Sequence, residues 1–299
     1  APENPLAGRV AVNHLWQMLF GQGIVRTTED FGLQGERPSH PELLDWLAVD
    51  LVKHGWDLKR TLKFIVMSRT YRQDSAVSAA LLAKDPENRL LARGARFRLP
   101  SWMIRDGALR SAGLFNPVLG GPPVRPYQPD GVWEELFMGR FKYEASEGPA
   151  QYRRTLYAFW RRSIAPTFLF DSAQRRSCEV RTGRTNTPLQ ALTLQNDATY
   201  LESSQAIAAE LLREGGDATR IQSLFRRVLS REANDQEAAL LGRTLMKARA
   251  HYRAQPAAAG QFLRVGQRVH ADGADLSELA AWTVVASLTL NLDEAITHE

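Results

Sequence analysis

Residues 175–197, RRSCEVRTGRTNTPLQALTLQND, join a cluster of arginines to a strong helix start. Thr187 can cap a helix, Pro188 suits its first position, and Gln190 can complete a capping box. The segment therefore predicts a helix from residue 188 onward, preceded by a loop with an excess of positive charge.

Helix starts of this kind recur outward from this stretch in both directions, each followed by apolar residues at helical spacing. The other predicted capping residues are Asn4, Ser39 (with Glu42), Asp57, Asp217 and Asn234 (with Glu237). A last helix is predicted over residues 276–292. Its fourteen residues from 279 to 292 carry no charge, which is too short to cross a membrane and typical of a buried core helix.

One segment has the composition of a strand. Residues 152–160, YRRTLYAFW, are aromatic and β-prone over a short run. We therefore predict a mainly α fold, a multi-helix globular domain with at most a small β element near 152–160.

A change in composition at residue 113 suggests the organisation of the chain. Residues 113–150 are rich in proline and glycine, which is typical of an ordered functional loop or a domain seam. We predict an N-terminal helical part over 4–112, a loop region over 113–150, and a part over 151–299 with the strand, the arginine loop and the C-terminal helices. Together they are expected to form one compact unit.

Composition narrows the classes of function. The chain has 299 residues, 44% of them hydrophobic, and a net charge of +5 that is spread along its length. A nucleic-acid partner is not expected, because such binders concentrate their basic residues on one face. One cysteine excludes an intramolecular disulfide. The chain begins Ala-Pro-Glu-Asn, without an initiator methionine or a signal segment, so we expect it to be a piece of a longer protein.

The reactive side chains do not form a recognised catalytic motif. The six histidines are scattered without metal-ligand spacing, and we expect no metal and no cofactor in this segment. Arginines around Cys178 would lower the pKa of its thiol, although a small buried hydrophobe is the simpler interpretation. Asp106, Glu134 and Glu135 are the carboxylates that could serve acid–base chemistry on a sugar.

The arginine loop is the strongest candidate for a site. Guanidinium groups beside the open N-terminus of a helix favour an anion. The predicted ligand-binding residues are Arg161, Arg162, Cys178, Arg181, Arg184, Asn186, Gln190 and Asn196. The alternative is structural, with these arginines pinning the loop to carboxylates such as Asp171, Glu179 or Asp197.

Six motifs in order give the chain a family resemblance. They are NPLAGRVAVNHLWQMLFGQGIVRTTEDFG, PSHPELLDWLA, GWDLKRTLKFIVMSRTYRQ, DPENRLLAR, YRRTLYAFWRRS and CEVRTGRTNTPLQALTLQND. With these motifs and its closing helix, the chain resembles the planctomycete C-terminal PSD family, a domain of unknown function. It departs from the family at Pro100-Ser101-Trp102, where an acidic residue usually precedes the Ile-Arg-Asp triplet.

The resemblance implies a context more than a mechanism. Members of the family are usually the C-terminal part of large exported proteins, downstream of a cytochrome-c-like domain. An extracytoplasmic location follows from it, with the upstream domains of the same protein as partners. We expect an interaction module that binds an anionic or glycan ligand. The alternatives are a glycan-acting or redox-linked enzyme domain and a purely structural helical scaffold.

Overall fold

Local helix signals account for most of the regular structure in the computed structural model, which describes residues 4–161, 163–171, 180, 183–268 and 273–298. Of these residues, 53% are helical, so the predicted mainly α fold is confirmed. Within the described residues the helices are α1 (Pro5–Phe20), α2 (Pro41–Lys53), α3 (Leu58–Val66), α4 (Ala79–Lys84), α5 (Ser101–Ser111), α6 (Val132–Leu136), α7 (Pro188–Asn196), α8 (Ala198–Leu211), α9 (Asp217–Leu229), α10 (Asp235–Ala254), α11 (Pro256–Leu263), α12 (Leu276–Leu290) and α13 (Asp293–Ile296).

The chain divides into two units. The described part of the first unit consists mainly of residues 4–98 and 297–298, and that of the second mainly of residues 99–171, 184–268 and 273–296. In the first unit, apolar residues of α1, α2 and α3 form one core, in which Trp16 stacks on Phe20 with ring centroids 4.0 Å apart. A two-stranded antiparallel sheet, β1 (Phe97–Arg98) with β2 (Thr297–His298), also belongs to this unit.

The second unit is built around α8 and α12. These two helices pack on each other, α12 also packs on α10 and α11, and α8 also packs on α5. Trp282 in α12 is fully buried, as expected for an uncharged helix face. The helix ends at Leu290, two residues before the predicted end.

No strand forms at 152–160, so the predicted position of the β element is wrong. Thr155–Tyr157 is a 3₁₀ turn, and Arg153 and Ala158 make isolated bridges to Asn116 and Val124. The partner segment is rich in proline, which has no N–H to donate, so a continuous ladder cannot form.

Most predicted helix starts have the expected caps. Thr187 with Gln190 and Asn234 with Glu237 both form capping boxes. Two caps were predicted wrongly. Ser39 donates to the carbonyl of Ile24 instead of capping α2, and Asp217 is the first residue of α9 with its carboxylate on Arg249.

Candidate functional site

A buried arginine of α5 orders the irregular part of the second unit. The Arg105 side chain is 1% exposed, and its guanidinium donates to the carbonyls of Gln151 (2.8 Å) and Arg153 (3.0 Å) and to the Thr155 hydroxyl (3.2 Å). Burial lowers the pKa of Arg105. The position of residues 151–155 therefore depends on one cation that folding has removed from water.

The next residue, Asp106, binds the same segment. Its carboxylate accepts from the Thr155 N–H (2.9 Å) and from the Thr155 hydroxyl (2.7 Å). The sequence suggested acid–base chemistry for Asp106, but the carboxylate oxygen is used here to hold backbone. The Arg-Asp pair of the Ile-Arg-Asp triplet is a clamp on the 151–155 segment.

Arg153 in turn donates hydrogen bonds to backbone carbonyls of the proline- and glycine-rich loop. Its guanidinium donates to Pro122 (3.0 Å), to Val118 (3.2 Å) and to Gly120, and lies 3.9 Å from the ring centroid of Tyr157. The five N–H donors of an arginine suit a loop that offers many carbonyls and few donors. Residues 118–122, between the two isolated bridges, are thus held by side-chain hydrogen bonds in place of a ladder.

An aromatic cluster lies in the following part of the loop. Trp133 of α6 is 1% exposed, and its indole N–H donates to the Gln128 amide oxygen (2.6 Å). Four rings surround it at centroid distances of 5.1 to 5.8 Å, those of Phe137, Phe141, Tyr143 and Phe159. These five residues are called the Trp133 cluster below.

Two exposed arginines lie on this cluster. The Arg161 guanidinium is 5.2 Å from the Phe137 ring centroid and 6.0 Å from that of Trp133, and the Arg125 guanidinium is 6.0 Å from that of Phe141. Both residues are exposed, and within the described part of the chain neither has a carboxylate within 4 Å. Cation–π contacts of this kind favour a fixed position for each charge on an exposed side chain.

Tyr143 connects the cluster to the backbone of the loop. Its hydroxyl donates to the carbonyl of Pro126 (2.6 Å), and burial raises its pKa to about 12. The phenol therefore remains neutral over the whole physiological range and serves as a fixed donor.

Only part of the predicted arginine loop can be described. Arg162, Cys178 and Arg181 lie outside the described residues, so their roles stay predictions. Arg184 is half-buried and Asn186 is exposed.

The N-terminus of α7 already has a carboxylate beside it. Asp171 accepts from the Thr185 N–H (2.7 Å), the Thr185 hydroxyl (2.8 Å) and the Gln190 amide (3.3 Å). Gln190 is buried and also serves the capping box with Thr187. In the described part of the loop, Asp171 thus pins the approach to α7 through Thr185 and Gln190, and the predicted pairing of this carboxylate with loop arginines stays a prediction.

Asn196 is separate from the other predicted site residues. It is exposed at the last position of α7, where its amide donates to the carbonyl of Leu192 (2.8 Å). It lies six positions beyond Gln190, which is about 9 Å along a helix. The structure brings Gln190 together with the α7 start, places Arg161 on the Trp133 cluster, and leaves Asn196 at the far end of the helix.

Sequence reasoning missed the residues that build the best-formed surface, namely Arg125 and most of the Trp133 cluster. A local signal was present, because Trp133, Phe137 and Phe141 follow one another at intervals of four. The clamp on the 151–155 segment has no local signal, since Arg105 and the Arg153 carbonyl that it binds are 48 positions apart.

The residues that the structure describes show neither a metal cluster nor a membrane-spanning helix. No group of three or more histidine, cysteine, aspartate or glutamate side chains there is arranged to hold a metal ion. Likewise, none of the helices described combines the length and the apolar character needed to span a membrane.

The fold and the surface together define a mainly α-helical domain with a structured loop that presents cations on aromatic rings. Its sequence matches PSD1, a family described as a protein of unknown function (DUF1553), over residues 1–245. The chain belongs to this family. No curated protein and no solved structure matches it.

Proposed function

We propose that this chain is the C-terminal binding or interaction module of a larger exported, cytochrome-linked protein, and that its ligand is anionic, with a glycan as the best class. The context is the one implied by the family resemblance. The ligand surface we favour is the Trp133 cluster with Arg125 and Arg161, because both guanidinium groups are exposed there and face aromatic rings.

The ordering of the loop supports a binding role. Segments this long without regular structure are uncommon in compact domains unless they bind something. Here a buried cation, Arg105, and the nearly buried Arg153 hold such a segment in one conformation. Burying a charge is costly, so a conformation fixed in this way indicates that the shape of the loop matters.

The arrangement of the two arginines carries the choice of ligand. A guanidinium stacked on an aromatic ring loses little freedom when it binds, and its planar N–H groups match sulfate and carboxylate oxygens. The half-buried rings of Phe137 and Phe141 beside these groups can add apolar surface for a sugar ring. A sulfated or carboxylated glycan satisfies both kinds of contact.

Calorimetric titration with sulfated oligosaccharides at low salt tests the proposal. We expect heat of binding that weakens as salt is raised, because exposed charges are screened beyond about 10 Å in 0.1 M salt. Arg161→Ala should weaken binding about tenfold, since one charge-assisted hydrogen bond contributes about 1.5 kcal/mol or more.

Arg154→Ala is the matched control. Arg154 is also exposed and also lies on an aromatic ring, 5.6 Å from the centroid of Phe115, but outside the Trp133 cluster. Its loss should leave affinity unchanged. Equal losses of affinity in the two variants would show general charge attraction and remove the assigned surface.

A purely structural scaffold is the second candidate, and Asp171 is the observation that favours it. The carboxylate of the chain itself takes the donors of Thr185 and Gln190 beside α7. On this alternative Asp171→Ala lowers the thermal midpoint, and the parent protein gives no heat with any sulfated ligand. If the parent protein binds a sulfated ligand and the Arg161 variant does not, the result supports the binding module over the scaffold.

A further inference from the structure

Four consecutive polar residues lie fully buried in the middle of α8, at positions 202–205. The hydroxyls of Ser203 and Ser204 donate to backbone carbonyls one turn earlier in the same helix. The Gln205 amide donates to the carbonyl of Val265 (3.3 Å). Glu202 differs from these three, because it is ionisable and its partners come from two other parts of the chain.

One carboxylate oxygen of Glu202 accepts two hydrogen bonds. The Gln267 N–H donates at 2.5 Å and the Tyr127 hydroxyl at 3.0 Å. The residue before Gln267 must be glycine for this close approach. A Cβ on Gly266 would lie 2.3 Å from the Glu202 side chain, and the φ angle of Gly266 is 92°. The carboxyl group is therefore enclosed by protein.

Gln267 connects Glu202 to the 113–150 loop. Its side-chain amide donates to the carbonyl of Ser146 (3.0 Å) and accepts from the N–H of Gly148 (3.3 Å). Glu202 thus holds residues 113–150 twice, directly through Tyr127 and indirectly through Gln267.

The charged and titratable groups facing Glu202 come from both attached segments. Tyr127 and Tyr152 approach from the loop side and Arg268 from the segment after α11. Burial raises the pKa of Glu202, and the hydrogen bonds and Arg268 act in the opposite direction without cancelling it. Burial also raises the pKa of Tyr152 to about 12, so this phenol is neutral across the relevant range.

Three other helices that pack on α8, namely α5, α9 and α12, also carry charged groups. On α9, Asp217 is paired with Arg249 (2.6 Å). On α5, Arg105 and Asp106 bind the 151–155 segment. On α12, Glu278 is paired with Arg249 (2.5 Å). The titration of the buried site is thus assigned to Glu202.

We propose that Glu202, Tyr127 and Gln267 form a proton-operated latch, which holds the 113–150 loop on α8 when the carboxyl group is protonated and loosens when it ionises. In the protonated state the carbonyl oxygen still accepts both hydrogen bonds, and no buried charge remains. The sign follows from linkage: a raised pKa in the folded state means that the stabilisation is complete below the unfolded value and is lost as pH rises through the folded value.

The latch holds the loop that carries most of the proposed ligand surface. Arg125 and most of the Trp133 cluster lie within the loop that Glu202 holds. Ligand binding at that surface should therefore be tighter in mild acid than in mild base, a consequence that rests on the proposed function, whereas the latch itself does not.

Hydrogen exchange of residues 125–150 in the whole chain tests the latch without any ligand. Protection factors, measured at about pH 5 and about pH 9 and corrected for the intrinsic effect of pH on exchange, should be lower at the higher pH, because burial raises the pKa of Glu202. The fall should be about tenfold for each unit by which the folded pKa exceeds that of the open state. Glu202→Gln, which keeps an oxygen acceptor without a charge, should stay protected and lose the pH dependence.

Tyr127→Phe is the second variant and removes one attachment without removing the titrating group. It should lower protection at every pH and keep the pH dependence. Equal protection of the parent protein at both pH values, or an unchanged pH dependence in Glu202→Gln, would overturn the latch. Full protection in Tyr127→Phe would overturn it too. Titrating the parent protein with a sulfated oligosaccharide at both pH values separates the latch from the proposed function. If the exchange depends on pH as expected but no ligand binds, only the proposed function is contradicted.

Discussion

In the second unit, the pair α8–α12 and the segment 113–161 reach a fixed structure by different means. The helices satisfy their backbone groups internally and bury apolar side chains such as Trp282 and Ile207 against one another. The loop segment has little regular structure, and five of its carbonyls accept from the guanidinium groups of Arg105 and Arg153.

This difference determines how each region should respond to change. Apolar burial is shared among many side chains, so the helical core should lose stability as a whole when it is damaged. The loop depends on a few directional bonds from a few residues. Its damage should remain local and leave the core folded.

The largest expected effect is a loss of stability in the α8–α12 core. Trp282→Ala removes a fully buried side chain from α12, and such large-to-small changes cost about 3–5 kcal/mol. Denaturant unfolding followed by circular dichroism should show a cooperative loss of stability. Leu288→Ala on the same helix, where the side chain is exposed, is the control and should change little.

A weaker and more local effect is expected in the loop. Arg105→Met keeps an unbranched side chain in place but leaves three oxygen acceptors without a donor, at a cost of about 2–3 kcal/mol. Relief of the buried charge keeps the cost below that of Trp282→Ala. Hydrogen exchange should rise at residues 113–155 and remain slow in α12.

The control for that change is Arg110→Met, on the exposed side of the last turn of α5. It removes the same kind of charge without touching the loop. Uniformly faster exchange across α8 and α12 in the Arg105 variant would contradict the contrast, because it would make the loop part of the cooperative core.

Helical spacing of apolar residues predicted α1, α2 and α10, and an uncharged run predicted α12, which is largely buried. α8 was not predicted, because it is buried on almost every side and its central polar residues 202–205 conceal any amphipathic pattern.

The candidate site was predictable only where its signals are local. The capping box at Thr187 follows from residues three apart, and its prediction is confirmed. The clamp from Arg105 to Arg153 and the contact from Glu202 to Tyr127 join residues far apart in sequence. Residue spacing along the chain does not predict such contacts. The surface formed by the Trp133 cluster, Arg125 and Arg161 therefore lies partly outside the predicted site residues.

The smallest predicted effect tests helix starts, which are the local signal common to the whole chain. Thr187→Ala removes the hydroxyl that accepts from the Gln190 N–H, and loss of such a cap costs about 1 kcal/mol. Ser39→Ala has the same sequence context but removes no cap, because Ser39 bonds Ile24 while α2 begins without a side-chain cap. Its cost should be a few tenths of a kcal/mol, as for an ordinary surface change. Equal losses in the two thermal unfolding midpoints would mean that position 39 caps α2 in solution, and that the sequence pattern was the better guide there.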